Sequence, residues 1–400
     1  YIDAEEASHI LGYVRAISEE EYAAMKDQGY SNTSIIGKIG IEQVAEGYLR
    51  GVDGIKEVYL DDEGAVREYS YTSPVPGNDV YLTIDYAFQQ KCVKILEEGI
   101  ADIRAQKDNI KNFGDAEAGS IVVLNAKTGE VLAEANYPNY DNSIFLRPSS
   151  DKEAQQAITN LFTDPTSPSL NRATQGLYPV GSTFKPITAI AALESGKTTS
   201  SRQIKCNGYL IINNHSHACM GYHSNISLKT AIAKSCNVYF QQIGVETGID
   251  TIDYWAKQFG LGEKTGIEIN EYAGYRSNEE TMNLKETDIY HKWTDSDTAQ
   301  TSIGQLYTLF TPMQLARYAA ALGNGGRLNV PYLIGSVKTS TGRVVLDNSN
   351  KNDNPAIVAA SQYVLDTVKE GMVEMVKGSG LATRAFSACM WKRSSLLPEI

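Results

Sequence analysis

The sequence predicts an α+β protein of two domains, and three observations carry that expectation. GSIVVLNAKTGEVLAEAN reads as an early β-hairpin, helical patterning dominates from Ser182 to about Leu322, and TSPVPGNDV punctuates the chain near residue 80 with Pro74, Pro76 and Gly77. Strands from the far end of the chain are expected to complete the sheet.

At 400 residues the chain exceeds the usual size of one domain, so a large domain over 81–390 and a smaller companion over 1–80 are expected, with 391–400 as an atypical tail. Asp85 caps a predicted helix over 86–105, in which Ala87, Cys92, Ile95, Leu96 and Ile100 recur at roughly helical spacing. The polar stretch AQKDNIKNFGDAEA follows as a loop. In the hairpin, residues 121–124 form one strand, 126–129 the turn and 131–135 the return. The clearest helix start has Thr311 as N-cap, Pro312 at the first helical position and Gln314 closing a capping box, and that helix stops at Gly323-Asn324-Gly325-Gly326. No internal repeat or low-complexity segment occurs.

Composition narrows the function. A formal charge of -12, from 36 Lys+Arg against 48 Asp+Glu, with no basic run, argues against nucleic acid as a partner. No stretch approaches the ~18 uninterrupted apolar residues that span a bilayer. The opening YIDAEEASHILGYV has neither a basic start nor an apolar core, so it reads as neither signal peptide nor anchor.

The strongest chemical signal is YPVGSTFKPITAIAALESG. Ser182 and Lys185 stand three residues apart at a helix start, where one turn stacks the amine beside the hydroxyl. A desolvated Lys there can lose its proton near neutral pH and act as general base for a serine nucleophile without any His. The spacing alone is common, and a Ser cap beside a solvated Lys is its bland reading. AIAKSCNVYF adds Ser235 and Asn237 at a second helix start, where a hydroxyl can relay a proton and an amide can hold a peptide group.

With both motifs in order, the chain resembles the class B penicillin-binding proteins, the monofunctional peptidoglycan D,D-transpeptidases of elongation or sporulation, whose signature is SxxK, SxN and KTG. ASHILGYV, IGKIGIEQ, YLRGVDG and LTIDYAFQ resemble the pedestal and junction segments; NRATQGLYPVGSTFKP and TSIGQLYTLFTPMQLARYAAALGNGGR resemble the catalytic domain. The resemblance implies an antiparallel sheet flanked by helices on a smaller N-terminal pedestal. It implies Ser182 as acyl acceptor, Lys185 as its base, Ser235 as proton relay and Asn237 as substrate clamp, with no catalytic cofactor. It also implies donors that are stem peptides ending in D-Ala-D-Ala, inhibition by β-lactams, and a membrane glycosyltransferase and other wall-synthesis proteins as partners. The implied location is the extracytoplasmic face of the bacterial membrane, held by an N-terminal helix outside this sequence.

The third motif departs from the pattern. Lys127-Thr128-Gly129 falls in the hairpin turn and Lys264-Thr265-Gly266 in FGLGEKTGIEI, and turn chemistry explains both triplets. By the resemblance KTG belongs near residue 395 or later, where the chain instead reads MWKRSSLLPEI. The expectation is a truncated or frame-slipped terminus without the last strands. Two readings compete with the transpeptidase: a related serine β-lactamase or D,D-carboxypeptidase, which would usually lack the pedestal-like start, and a catalytically dead wall-synthesis scaffold.

A second constellation lies in CNGYLIINNHSHACMGYHSNISLKTAIAKSCN. Cys206, Cys219, His223 and Cys236 suit a closed structural zinc site, with His215 and His217 as alternates; a disulfide between Cys206 and Cys219, or buried free thiols, are the other readings. Residue by residue, only His223 and Cys236 match the zinc pattern found beside SxN in similar elongation enzymes.

Overall fold

The computed structural model describes residues 5–105, 114–286, 292–377, 380–383 and 385, which divide into two compact units. The first comprises Tyr1–Gln175, Gly266–Glu271 and Val330–Asn354; the second comprises Gly176–Thr265, Tyr272–Asn329 and Pro355–Ile400. Among the described residues no helix is long and apolar enough to cross a membrane.

In the first unit, helix α1 (Tyr86–Ala105) starts where Asp85 Oδ1 accepts the Phe88 N–H at 3.0 Å, as the sequence predicts. Its buried Cys92 and Val93 pack on Ala133 and Ala135 of the hairpin formed by β1 (Gly119–Leu124) and β2 (Val131–Tyr137). Gln89 locks the two together, donating to the Glu134 carbonyl at 2.8 Å and accepting the Glu134 N–H at 2.7 Å. Gly129 takes φ +82° in the hairpin turn, a conformation open to glycine. The far-end strands do not add to this hairpin as expected. Ile334–Lys338 and Val344–Asp347 build a three-stranded antiparallel sheet on Asp79–Leu82, and Tyr332 meets the hairpin only at a parallel bridge to Glu130. Nearer the N-terminus, Ile55–Leu60 and Val66–Thr72 form a two-stranded antiparallel ribbon with both strands solvent-facing.

The second unit is helical around one large core. Helix α2 (Lys185–Glu194) buries every residue from Lys185 to Ala192. The antiparallel pair β3 (Ile204–Cys206) and β6 (Ser224–Ile226) brackets the hairpin of β4 (Tyr209–Ile212) and β5 (His215–Ala218). Next come α3 (Leu228–Ala233), α4 (Asn237–Thr247), α5 (Asp295–Thr301), α6 (Pro312–Gly323) and α7 (Gln362–Val376). The capping box of α6 forms as the sequence predicts, with Thr311 and Gln314 bonding each other's backbone N–H at 3.2 Å. Among the described residues every strand ladder of this unit is two-stranded. The tail over 391–400, and with it the expectation about missing strands, lies outside the described residues.

Candidate active site

Ser182 sits in a 3-10 turn, Gly181–Phe184, that runs into α2, so the nucleophile candidate is exposed while Lys185, three residues on, is buried. The turn is held from the side: Gly304 accepts the Gly181 N–H at 2.9 Å, and a Cβ on Gly304 would lie 2.1 Å from the Gly181 carbonyl oxygen. Only glycine fits at that approach.

The second motif lies on the connection between α3 and α4. The N–H of Ser235 bonds the Ile232 carbonyl and that of Cys236 bonds the Ala231 carbonyl, a pair of bonds that closes a helix C-terminus through a left-handed residue. That residue is Ser235, at φ +50°. A non-glycine side chain in this region carries strain, a recurring feature of functional sites. Cys236 then serves as N-cap of α4, its Sγ accepting the Tyr239 N–H at 3.5 Å. Ser235 and Asn237 are thus presented on either side of a capping residue.

Lys185 joins the two motifs. Its Nζ donates to the Ser235 carbonyl at 2.8 Å, to Ser235 Oγ at 2.9 Å and to Asn237 Oδ1 at 2.7 Å, while Ser235 Oγ donates to Ser182 Oγ at 2.9 Å. Sequence spacing set the amine directly beside Ser182; in the structure three acceptors draw it to the Ser235 turn, and its hydrogen-bonded route to Ser182 runs through Ser235. Burial pulls the Lys185 ammonium down to about 8, against an opposing pull from the Cys219 and Cys236 sulfurs. Asn237 Nδ2 donates to the Ala218 carbonyl at 3.1 Å, a contact the sequence did not signal because a backbone acceptor leaves no mark in residue type. The amide carries a second Nδ2 hydrogen besides the one in that bond.

Cys206, Cys219, His223 and Cys236 bring their ligand atoms within 4.8 Å of one another. Cys219 Sγ lies 3.8 Å from Cys236 Sγ and 3.6 Å from His223 Nδ1. The sulfurs are free thiols, so the Cys206 to Cys219 disulfide is not formed. Burial raises the Cys219 thiol, but the backbone N–H groups of Val238, Gly221 and Asn237 outweigh it and leave the thiol below its ordinary value; burial pushes Cys236 up. The alternates His215 and His217 are not in this group. His217 lies buried with Nε2 3.0 Å from Ser296 Oγ.

Lys127-Thr128-Gly129 turns the β1–β2 hairpin of the first unit, and Lys264-Thr265-Gly266 lies in irregular chain with Gly266 at φ +86°.

Residues 119–390 match the penicillin-binding protein transpeptidase domain, and residues 1–82 match the penicillin-binding protein dimerisation domain. The chain belongs to the penicillin-binding protein transpeptidase family. Transpeptidases of this family need no catalytic cofactor. Among curated relatives, the peptidoglycan D,D-transpeptidase MrdA of Haemophilus influenzae is 32% identical over 397 residues, covering 97% of this chain. MrdA of Escherichia coli is 29% identical over 395 residues, covering 96% of this chain. The chain spans 57% and 58% of the length of these two relatives. Among solved structures, Pseudomonas aeruginosa PBP2 in complex with WCK 5153 superposes with a TM-score of 0.77 at 29% identity, covering 96% of this chain and 75% of that one. The PBP2–MreC complex of Helicobacter pylori gives 0.78 at 26% identity, covering 95% of this chain and 64% of that one. The penicillin-binding transpeptidase fold with its N-terminal dimerisation domain is therefore the architecture of this chain.

Proposed function

We propose that this chain belongs to a peptidoglycan D,D-transpeptidase that works through a serine acyl-enzyme, with Ser182 as nucleophile. The observation that carries the reading is the hydrogen-bonded path from Ser182 Oγ through Ser235 Oγ to Lys185 Nζ, each link 2.9 Å long. As an ammonium, Lys185 fills all three of its N–H bonds. As a neutral amine it turns its lone pair to the Ser235 hydroxyl, which can in turn accept the Ser182 proton.

Ser182 Oγ then attacks the carbonyl between the two D-Ala residues of a stem peptide. The proton leaves along the path, an ester forms, and the Ser235–Lys185 pair returns the proton to the departing D-Ala amine. A second stem's amine attacks the ester and regenerates Ser182. Asn237 holds the donor's peptide group while its Oδ1 keeps the amine in place. β-Lactams acylate the same oxygen, and with no leaving amine to diffuse away they remain attached. Prolonged incubation with a penicillin, followed by intact mass and peptide mapping, should give one adduct at Ser182 that Ser182→Ala lacks. An undiminished adduct in that variant would refute the assignment.

We assign a structural zinc ion to Cys206, Cys219, His223 and Cys236. Arms of about 2.3 Å to sulfur in a tetrahedral site set sulfur–sulfur edges of about 3.8 Å, the separation of Cys219 and Cys236 Sγ. With four protein donors and no open position, zinc there would supply cross-linking and no reaction chemistry. Its residues frame the SxN turn from behind.

Residues 1–80 are assigned as part of the pedestal and 81–390 as the transpeptidase domain, supported by the matches over 1–82 and 119–390. The ribbon of the first unit exposes Ile55, Val58, Leu60, Val66 and Tyr71. Exposed apolar side chains on such a ribbon suit a protein partner, which we take to be a membrane glycosyltransferase or another wall-synthesis protein. A similar chain has been solved within a peptidoglycan synthase complex, and another with MreC. The corresponding location is the extracytoplasmic face of the bacterial membrane.

A further inference from the structure

We propose that Cys219 and Cys236 are a reversible disulfide-forming pair, in which a hydroperoxide oxidises Cys219, Cys236 resolves it, and the turn carrying Ser235 and Asn237 loosens as a result. Cys236 is fully buried and Cys206 is 1% exposed, whereas Cys219 is only partly covered and is the sulfur a small oxidant reaches first. The Cys236 sulfur stands 3.8 Å behind it. Cys206 Sγ donates to the Gly221 carbonyl at 3.4 Å and lies within 4.8 Å of the other two sulfurs, so it is the competing resolving thiol, and the short Cys219–Cys236 separation favours Cys236.

The backbone also brings the two segments together. Asn237 Nδ2 holds the Ala218 carbonyl at 3.1 Å, so the residue before Cys219 is tied to the residue after Cys236 and the two chain segments run alongside each other. The bond would close the sulfurs from 3.8 Å to a covalent separation of about 2.05 Å.

The chemistry balances without a further reactant. The Cys219 thiolate attacks one oxygen of the hydroperoxide, the O–O bond breaks, and the departing oxygen takes a proton, leaving a sulfenic acid. The Cys236 sulfur displaces that hydroxyl as water and forms the S–S bond. Two thiols are oxidised and one peroxide is reduced; the Cys219 proton leaves on the departing oxygen and the Cys236 proton in the water formed. A dithiol such as dithiothreitol reverses the step by exchange.

The consequence reaches the active site because Cys236 Sγ caps α4 by accepting the Tyr239 N–H at 3.5 Å. Rotation toward Cys219 removes that cap, and the flanking residues are the ones that bond Lys185. Zinc bound to the same sulfurs would be released on oxidation, but the pair can form with or without metal.

The test uses the full chain with Cys92→Ala and Cys389→Ala, treated with hydrogen peroxide and mapped without reduction. The expected result is a loss of about 2 Da, one peptide linking Cys219 to Cys236, and full reversal by dithiothreitol. Hydrogen exchange of the 235–239 amides should quicken in the oxidised form and recover on reduction. Cys236→Ala should leave Cys219 trapped by dimedone as a sulfenic adduct, and Cys206→Ala should still form the link, which guards against a variant that misfolds. A Cys206–Cys219 link, over-oxidised Cys219 with Cys236 untouched, or unchanged exchange would overturn the proposal. Metal content, measured on the reduced protein before peroxide is added, decides the zinc assignment separately from this outcome.

Discussion

Lys185 Nζ and Asn237 Oδ1 are joined at 2.7 Å, so the amine of the first motif is held by the second. Removing Ser235 breaks the proton path yet leaves this anchor. Ser235→Ala is therefore expected to lower the rate of penicillin acylation by about 100-fold or more, the usual range for losing a positioned proton-transfer group, with the adduct still at Ser182. Lys185→Ala should abolish acylation. Stopped-flow or gel labelling with a fluorescent penicillin measures both, and wild-type rates in Ser235→Ala would disprove the relay.

The acylation rate should rise with pH through the region of about 8, to which burial lowers the Lys185 ammonium, because the proposed base is the neutral amine. Stability carries the same sign. The folded chain releases this proton at lower pH than the unfolded chain, whose Lys titrates near 10.4, so between those values the unfolded state binds more protons and folding gains as pH rises. Below about 8 the cost of burying the charge is fully present. In Lys185→Met the contribution should vanish from the pH dependence of denaturant midpoints.

Much of this site was legible in residue order. SxxK and SxN named all four interacting side chains, and Thr311 with Gln314 marked the start of α6 because a cap is a local device. Ser235 in the left-handed region was not legible, since a glycine usually announces that conformation and the α3–α4 turn imposes it here without one. Nor was the route from Ser182 to Lys185. Spacing along one helix sets which residues are near, whereas the acceptors that capture the amine come from a segment fifty residues away in sequence.

The KTG triplets offer a negative prediction of the same kind. Lys127 turns a hairpin of the first unit and Lys264 sits in irregular chain, so Lys127→Ala and Lys264→Ala should leave penicillin labelling at the wild-type rate. A large loss in either variant would place that lysine in the reaction.

Helix α4 reaches Ser302, the C-cap of α5, so closely that a Cβ on Gly244 would stand 1.8 Å from Ser302 Oγ and 2.5 Å from Ser302 Cβ. Gly244→Ala must force the helices apart, with an expected loss of about 1–3 kcal/mol, as for other overpacked cores. Ser302→Gly removes both clashing atoms, so the double variant should recover most of the loss in a double-mutant cycle of urea unfolding. Additive effects would mean that the strain is relieved elsewhere.

Zinc makes the sharpest distinction between histidines. His223 Nδ1 lies 3.6 Å from Cys219 Sγ in the four-residue cluster, whereas His217, an alternate by sequence, lies with Nε2 3.0 Å from Ser296 Oγ. Protein purified without chelator is expected to carry about one zinc per chain, His223→Ala to lose most of it, and His217→Ala to keep it. Because thiolates must form before they bind metal, release should accompany acidification, and the chelated protein should melt lower than the loaded one. His217→Ala, which loses a buried hydrogen bond, should melt lower while retaining metal, so the two histidines separate by composition and not by stability alone. Elemental analysis finding no zinc in the wild-type protein, or equal zinc loss in both variants, would remove His223 and its three cysteines as a metal centre.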